Sequence, residues 1–395
     1  MGGQASKDAK AKQEADKAAA EAKEKAASLH LLIALGPEEV GRGSPDEWHS
    51  FSLHASTARA IPDSLARLTS LTILIIEGCD NLSALPENIG ELKKLTRLLI
   101  KSCPMLHVLP TSLGALDRLA SLQIGQCSIE ALPESFGDLG SLTHLNLDLA
   151  ALKKLPANFG KLVALAHLDL ALSSLQELPE SMCHLTALQE LNWRQYSSFC
   201  RGVKQGDGSS SKITQLPESI GNLTSLKKVS LSYLRLKVLP ESIGRWTTLE
   251  TLILHSLKDL SALPGSIGDL LRLTRLKIAF CRIETLPVSF AGLSAVTDLE
   301  FSYCEQLCGS SLHVLGRMKS LLRLNIECCD NFENLPESIG DSTTLQSITL
   351  RGAYDDKVVS ISPNIDLPIE LPRESAHVKS VSGGASSQHW GLDES

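Results

Sequence analysis

From residue 61 to about residue 360, apolar positions fall into one line of text that returns every 23 or 24 residues. From Leu85 the chain reads LPENIGELKKLTRLLIKSCPMLHV, and from Leu216 it reads LPESIGNLTSLKKVSLSYLRLKV. The shared frame is L-P-x-S-I-G-x-L-x-x-L-x-x-L-x-L-x-x-C-x-x-L-x-x. Leucine–proline steps mark it at Leu85-Pro86, Leu109-Pro110, Leu132-Pro133, Leu155-Pro156, Leu178-Pro179, Leu216-Pro217, Leu239-Pro240, Leu263-Pro264, Leu286-Pro287 and Leu335-Pro336, and Ile61-Pro62 opens the series. A fixed period of this length belongs to stacked solenoids, in which each unit touches only its neighbours.

Each apolar position has a physical task. Leu71, Leu74 and Ile76 are expected on one buried face of a short strand, with Leu95, Leu98 and Ile100, and later Leu321, Leu324 and Ile326, stacked behind them. Proline then stops ladder pairing and turns the chain. The Ile-Gly-x-x-Leu segment that follows is expected as a short helical or irregular stretch on the outer side, with Gly90, Gly137, Gly221 and Gly340 at its tight points. The reading is therefore an α/β solenoid of about twelve units over 61–360, with a parallel sheet on its inner face. In one unit Leu312 stands at the place of the proline, and Leu315-Gly316 keep the frame. Another is stretched: Leu178 to Leu216 spans 38 residues, and the surplus, 196–212, reads as a Gly/Ser-rich loop insertion after a strand.

The whole line resembles the leucine-rich repeats, over about three quarters of the chain. Its LPxSIGxLxxLxxLxLxxC form is similar to that of plant intracellular Ras-group leucine-rich-repeat proteins and of the repeat region of plant nucleotide-binding immune receptors. Similar repeats occur in effectors that plant-pathogenic bacteria inject into host cells. The resemblance implies a right-handed horseshoe whose concave sheet binds other proteins.

Composition sharpens this. Hydrophobic residues make up 43 % of the chain but aromatics only 4 %, so the core is aliphatic and uniform. A net charge of −7 argues against a nucleic-acid surface. No apolar run reaches the length that spans a bilayer, and no secretory signal opens the chain. Six of the ten cysteines (Cys79, Cys103, Cys127, Cys281, Cys304, Cys329) share one frame position, which reads as a ladder of reduced, buried thiols in a cytosolic protein. Neither Cys304-x-x-x-Cys308 nor Cys328-Cys329 has a zinc spacing. The Asn81 and Asn222 sequons are incidental in a cytosolic chain.

Outside the repeats, Met1-Gly2-Gly3-Gln4-Ala5-Ser6 fits the acceptor pattern for N-myristoylation of Gly2. One acyl chain gives only weak, reversible membrane binding, so the expected location is cytoplasmic with peripheral membrane association. Residues 1–28 form an Ala/Lys/Glu-rich helical tail. Residues 29–60 form an N-terminal cap region, in which Trp48, Phe51 and Leu53 close the solenoid. Residues 361–395, which carry Trp390, are expected as a largely disordered C-terminal tail.

On the concave face, same-position neighbours on adjacent strands are expected to neutralise one another: Glu190 with Lys228, Arg275 with Asp298 and Arg323, and Lys277 with Glu300. His144, His167, Asn146 and Asp169 form a two-by-two patch that reads as a solvated polar face; no metal is assigned. Tyr233, Phe280 and Tyr303 share one late position in their units. With Arg194, His255 and Lys277 they form the candidate partner-binding set, edged by the loop insertion; packing of the rings against that loop is the other reading.

No phosphate loop, nucleophile elbow or H-E-x-x-H helix is present, and no catalytic residue or cofactor is assigned. The sequence thus reads as a non-catalytic protein–protein interaction scaffold or adaptor in intracellular signalling. Immunity is implied by resemblance alone. The partner is a protein of unassigned identity, with neither nucleic acid nor a small-molecule substrate. Two alternatives stand beside it: a bacterial effector that binds host proteins, and an enzyme with an unrecognised site.

Overall fold

The computed structural model describes residues 49–54, 57–149, 151–171, 174–194, 213–329, 335–340, 342–351 and 359–361. Every repeat contributes one five-residue strand. In order these are β1 (Ser50–His54), β2 (Ile73–Glu77), β3 (Arg97–Lys101), β4 (Ser121–Gly125), β5 (His144–Asp148), β6 (His167–Ala171) and β7 (Glu190–Arg194). They continue as β8 (Lys228–Ser232), β9 (Thr251–His255), β10 (Arg275–Ala279), β11 (Asp298–Ser302), β12 (Arg323–Glu327), β13 (Ser347–Arg351) and the three-residue β14 (Val359–Ile361). The sheet keeps this order, each strand pairing with the next. All described pairs are parallel except the last, where β14 runs antiparallel to β13.

Register explains the frame. Leu74, Leu98 and Leu122 face one another across β2, β3 and β4, and Ile76, Ile100 and Ile124 do the same two residues on. All six side chains are buried. Leu71 also belongs to the core, but it precedes its strand, in a turn closed by its N–H donating to the Leu68 carbonyl at 3.0 Å. Truncating one of these leucines to alanine costs about 2–5 kcal/mol, because the stacked neighbours collapse only partly into the gap.

The sheet begins one strand earlier than the repeated text. Phe51 pairs with Leu74 and Leu53 with Ile76, and both are buried, so residues 50–54 close the core as a strand of the sheet. The outer segments are 3-10 helices of three to five residues, most entered through the extended proline of the step, as Thr111–Ala115 is through Pro110, while Ile89–Glu91 and Phe159–Lys161 follow Asn88 and Asn158. The unit with Leu312 at the proline position differs. Its helix runs nine residues, Gly309–Arg317, and buries Leu312 where other units place the proline ring. The Ile-Gly glycines answer to close approach between repeats. A Cβ on Gly90 would overlap the Ser112 carbonyl oxygen, and one on Gly221 the Ser242 carbonyl oxygen.

The cysteine ladder lies where the chain leaves the strand. All six members are buried free thiols. Cys103 donates to the Lys101 carbonyl at 3.4 Å, and Cys281 to the carbonyls of Ala279 (3.4 Å) and Leu254 (3.7 Å). Hydrogen bonding with Cys127 pushes the Cys103 thiol up to about 11, and burial pushes Cys281 up to about 12. Among the described residues no helix is long and apolar enough to cross a membrane. Gly2, the N-terminal helical tail, Trp48, the 196–212 insertion and the C-terminal tail lie outside the described residues.

Candidate functional site

The residue just after each strand turns the chain off the sheet, and among the described residues it does so with positive φ in eight repeats. Gly78 supplies this turn in one repeat, and Ser102, Gln126 and Ser256 in others. In three repeats the position holds a large aromatic: Tyr233 (φ 60°), Phe280 (φ 54°) and Tyr303 (φ 52°). The turn is fixed by the next repeat. The Tyr233 N–H donates to the His255 carbonyl at 2.9 Å, Phe280 to Ser302 at 2.8 Å and Tyr303 to Glu327 at 2.7 Å. A left-handed conformation costs a bulky side chain about 1–3 kcal/mol, and glycine much less. Nothing in the turn calls for a ring, since smaller residues make the same hydrogen bond, as Ser102 does to Gly125 at 3.0 Å.

The three rings form a continuous file. Tyr233 lies 5.1 Å from His255, His255 lies 5.3 Å from Phe280, and Phe280 stacks on Tyr303 at 4.4 Å with planes 5° apart. His255 enters from the last position of β9, because the turn in that repeat holds only the small, buried Ser256. Tyr233, Phe280 and Tyr303 remain 40–44 % exposed, a contiguous aromatic strip along one rim of the sheet. Burial lowers the pKa of His255, the nearby Lys277 ammonium adds to this, and Glu300 opposes it. The imidazole is therefore neutral near pH 7 and packs as an aromatic. Hydrogen bonding with the Cys328 thiol raises the Tyr303 phenol.

Of the residues singled out from the sequence, Tyr233, His255, Phe280 and Tyr303 come together. Lys277 sits on the strand beside them, 2.9 Å from the Glu300 carboxylate. Arg194 does not join the file; its guanidinium turns to Asp169, 3.6 Å away. Two of the expected charge pairs form, Lys277 with Glu300 and Arg323 with Asp298. The third does not. Glu190 is in register with Lys228, yet its carboxylate lies 3.4 Å from His167 Nδ1.

The histidine patch is also ordered. His144 and His167 stack at 4.4 Å, and Asn146 donates to the Asp169 carboxylate at 3.4 Å. Burial raises the Asp169 pKa, Arg194 draws it down, and one of the Asp169 oxygens is buried without a hydrogen-bond partner. Among the described residues no group of three ligating side chains converges on a metal position. The sequence pointed to the aromatic positions but not to their left-handed turns or their mutual stacking. The available signal was a ring standing where the first repeat has Gly78.

These features define a class of architecture: an open leucine-rich-repeat solenoid with a parallel inner sheet. Among solved structures, it is similar to an internalin from Listeria monocytogenes (16 % identity, TM-score 0.50), a likeness covering 84 % of this chain and 95 % of that one. The PEPR1–AtPEP1 structure is similar at 20 % identity and TM-score 0.51, over 84 % of this chain and 51 % of that one. The Drosophila Toll–Spatzle complex gives 18 % identity and TM-score 0.53, over 75 % of this chain and 42 % of that one. No family model and no curated relative matches the sequence.

Proposed function

We propose that this protein is a non-catalytic interaction scaffold that holds a protein partner on its concave face, over β8 to β11. The observation that carries this reading is the file of Tyr233, His255, Phe280 and Tyr303, in which Tyr233, Phe280 and Tyr303 are exposed and held in backbone conformations that the fold fills more cheaply with small residues. Strain retained in a structured region points to a use, and clustered aromatics are the composition of an interaction hot spot. Elsewhere on the inner face charged groups engage one another, as Arg194 does with Asp169 and Lys277 with Glu300. Two solved solenoids of this fold, PEPR1–AtPEP1 and the Toll–Spatzle complex, agree with such a role.

An adaptor role in intracellular signalling, with a tie to plant-type immunity or Ras-like regulation, extends the same proposal by sequence resemblance. So does a cytoplasmic location with reversible membrane association through an acylated Gly2.

A photo-crosslinking amino acid placed at Tyr303, and separately at Leu271 on the segment leading from an outer helix to a strand, tests the reading in extracts of the source cells. Covalent adducts at Tyr303 with none at Leu271 are expected. Adducts at Leu271 alone, or at neither position, overturn it.

A further inference from the structure

The charge around the aromatic file has the opposite sign to that of the chain. The whole sequence carries −7, yet residues 227–307, the repeats under all four members of the file, hold ten lysines and arginines against eight aspartates and glutamates, and the excess falls in 227–284, where the ten face only five. The excess is not on the outer surface, where the helices Glu241–Arg245 and Gly265–Asp269 carry two acids and one base. It lies on the strands, as Lys228, Arg275 and Lys277, and on the turns after them, as Arg235, Lys237, Lys258 and Arg282. Against these seven stand only Asp259 and Glu284.

Arg235 pairs with Asp259 at 3.0 Å and Lys277 with Glu300 at 2.9 Å. Lys228, Lys237, Lys258 and Arg282 form no ion pair with any described residue, and all four are exposed. Arg235, Lys237 and Arg282 also line an open groove of about 690 Å³ together with Asp259 and Glu284; Arg235 is taken by Asp259, while Lys237 and Arg282 stay unpaired there. Tyr233 lies two residues before Arg235, and Phe280 two before Arg282, so rings and cations follow the same turns.

From this juxtaposition we infer that the partner presents an acidic, extended segment. It runs across the strands, with apolar side chains on the ring file and carboxylates over the unpaired Lys237 and Arg282 of the groove. The inference rests on the concave-face reading above and adds the partner's chemistry. Successive ring separations of 5.1, 5.3 and 4.4 Å give a file about 15 Å long. An extended chain rises about 3.3 Å per residue with alternate side chains on one face, so about five residues cover it, and about three side chains meet the rings. Alternation sends the intervening side chains away from the rings, toward the groove.

A nucleic-acid strand would also find rings and cations here. It fits less well. Phe280 and Tyr303 already stack on each other, which leaves no slot for a base between them.

The test uses the full chain and four fluorescent probes of about ten units, enough to cover the file and both flanks. They are an alternating glutamate–phenylalanine peptide, a lysine–phenylalanine peptide, a glutamate–serine peptide and an oligothymidine. Binding is read by anisotropy at two salt concentrations. The glutamate–phenylalanine probe is expected to bind best by at least about tenfold and to weaken as salt rises. Phe280→Gly, which places at this turn the residue found at position 78, and separately Arg282→Glu, are each expected to lose about tenfold. Equal binding of the lysine and glutamate probes, tighter binding of oligothymidine, unchanged binding in Arg282→Glu, or no binding of the glutamate–phenylalanine probe overturns the inference. If the Tyr303 crosslink nevertheless forms, only the acidic chemistry has failed. If it also fails, the concave-face reading falls with it.

Discussion

Phe280 and Tyr303 stack face to face at 4.4 Å although each occupies a left-handed turn, at φ 54° and 52°. The contact joins adjacent repeats at the rim, outside the aliphatic core. Two substitutions separate ring from backbone. Phe280→Gly loses the stack but relieves the turn, so its stability is expected within about 1 kcal/mol of the parent. Phe280→Val loses the stack and keeps a β-branched side chain at positive φ, which is expected to cost about 1–3 kcal/mol. Urea unfolding of both variants checks the order, and Val as stable as Gly contradicts it.

The two buried indoles differ in one hydrogen bond. Trp246 Nε1 donates to the Ile220 carbonyl at 3.0 Å, whereas Trp193 Nε1 is buried with no acceptor among the described residues. Replacing either with phenylalanine removes similar volume. Only Trp246→Phe loses a hydrogen bond, although the Ile220 carbonyl keeps the Leu223 N–H at 3.2 Å, so it is expected to be the costlier change by about 1 kcal/mol. Denaturant midpoints of the two variants decide.

His255 makes stability depend on pH. Its pKa is lowered in the folded state, chiefly by burial, so below pH 7 the unfolded chain binds the proton more readily. Stability contributed by the neutral ring is present above the unfolded value, about 6.5, and is lost as pH falls from there toward the folded value. His255→Phe is expected to remove this part of the dependence. Thermal melts of parent and variant between about pH 7.5 and pH 5 should converge at the upper end and separate at the lower one.

Thiol reactivity should follow depth and hydrogen bonding. Cys308 is half-exposed, and its hydrogen bond with Ser310, at 2.9 Å, lowers its pKa. Cys281 is buried and pushed up to about 12. Brief native alkylation read by peptide mass spectrometry is expected to modify Cys308 first among the described cysteines and Cys281 only on unfolding. Early labelling of Cys281 would show that the ladder opens locally.

The repeat frame made most of this architecture legible. A buried pair such as Leu98 and Ile100 recurs so regularly that strand, face and stacking follow from the text. The edges were harder to read, because Phe51 and Leu53 stand in a strand with no proline step before it, and β14 returns antiparallel. At the site, Tyr233, Phe280 and Tyr303 could be picked out as rings at one register position. Their positive φ depends on a hydrogen bond to the next repeat, which a residue-by-residue reading does not contain. Glu190 shows the same limit: strand register allows it two neighbours, and side-chain reach selects His167 over Lys228.

The stretched repeat has a consequence for how such a chain can change. Between Leu178 and Leu216 the sequence runs 15 residues past the usual 23, yet β7 and β8 pair along their full length, from Glu190 with Lys228 to Arg194 with Ser232. Repeat length and strand spacing are thus uncoupled at this junction. New sequence can be gained, lost or grafted there under selection for recognition alone, next to the strip of rings, while the ladder that holds the molecule together keeps its register.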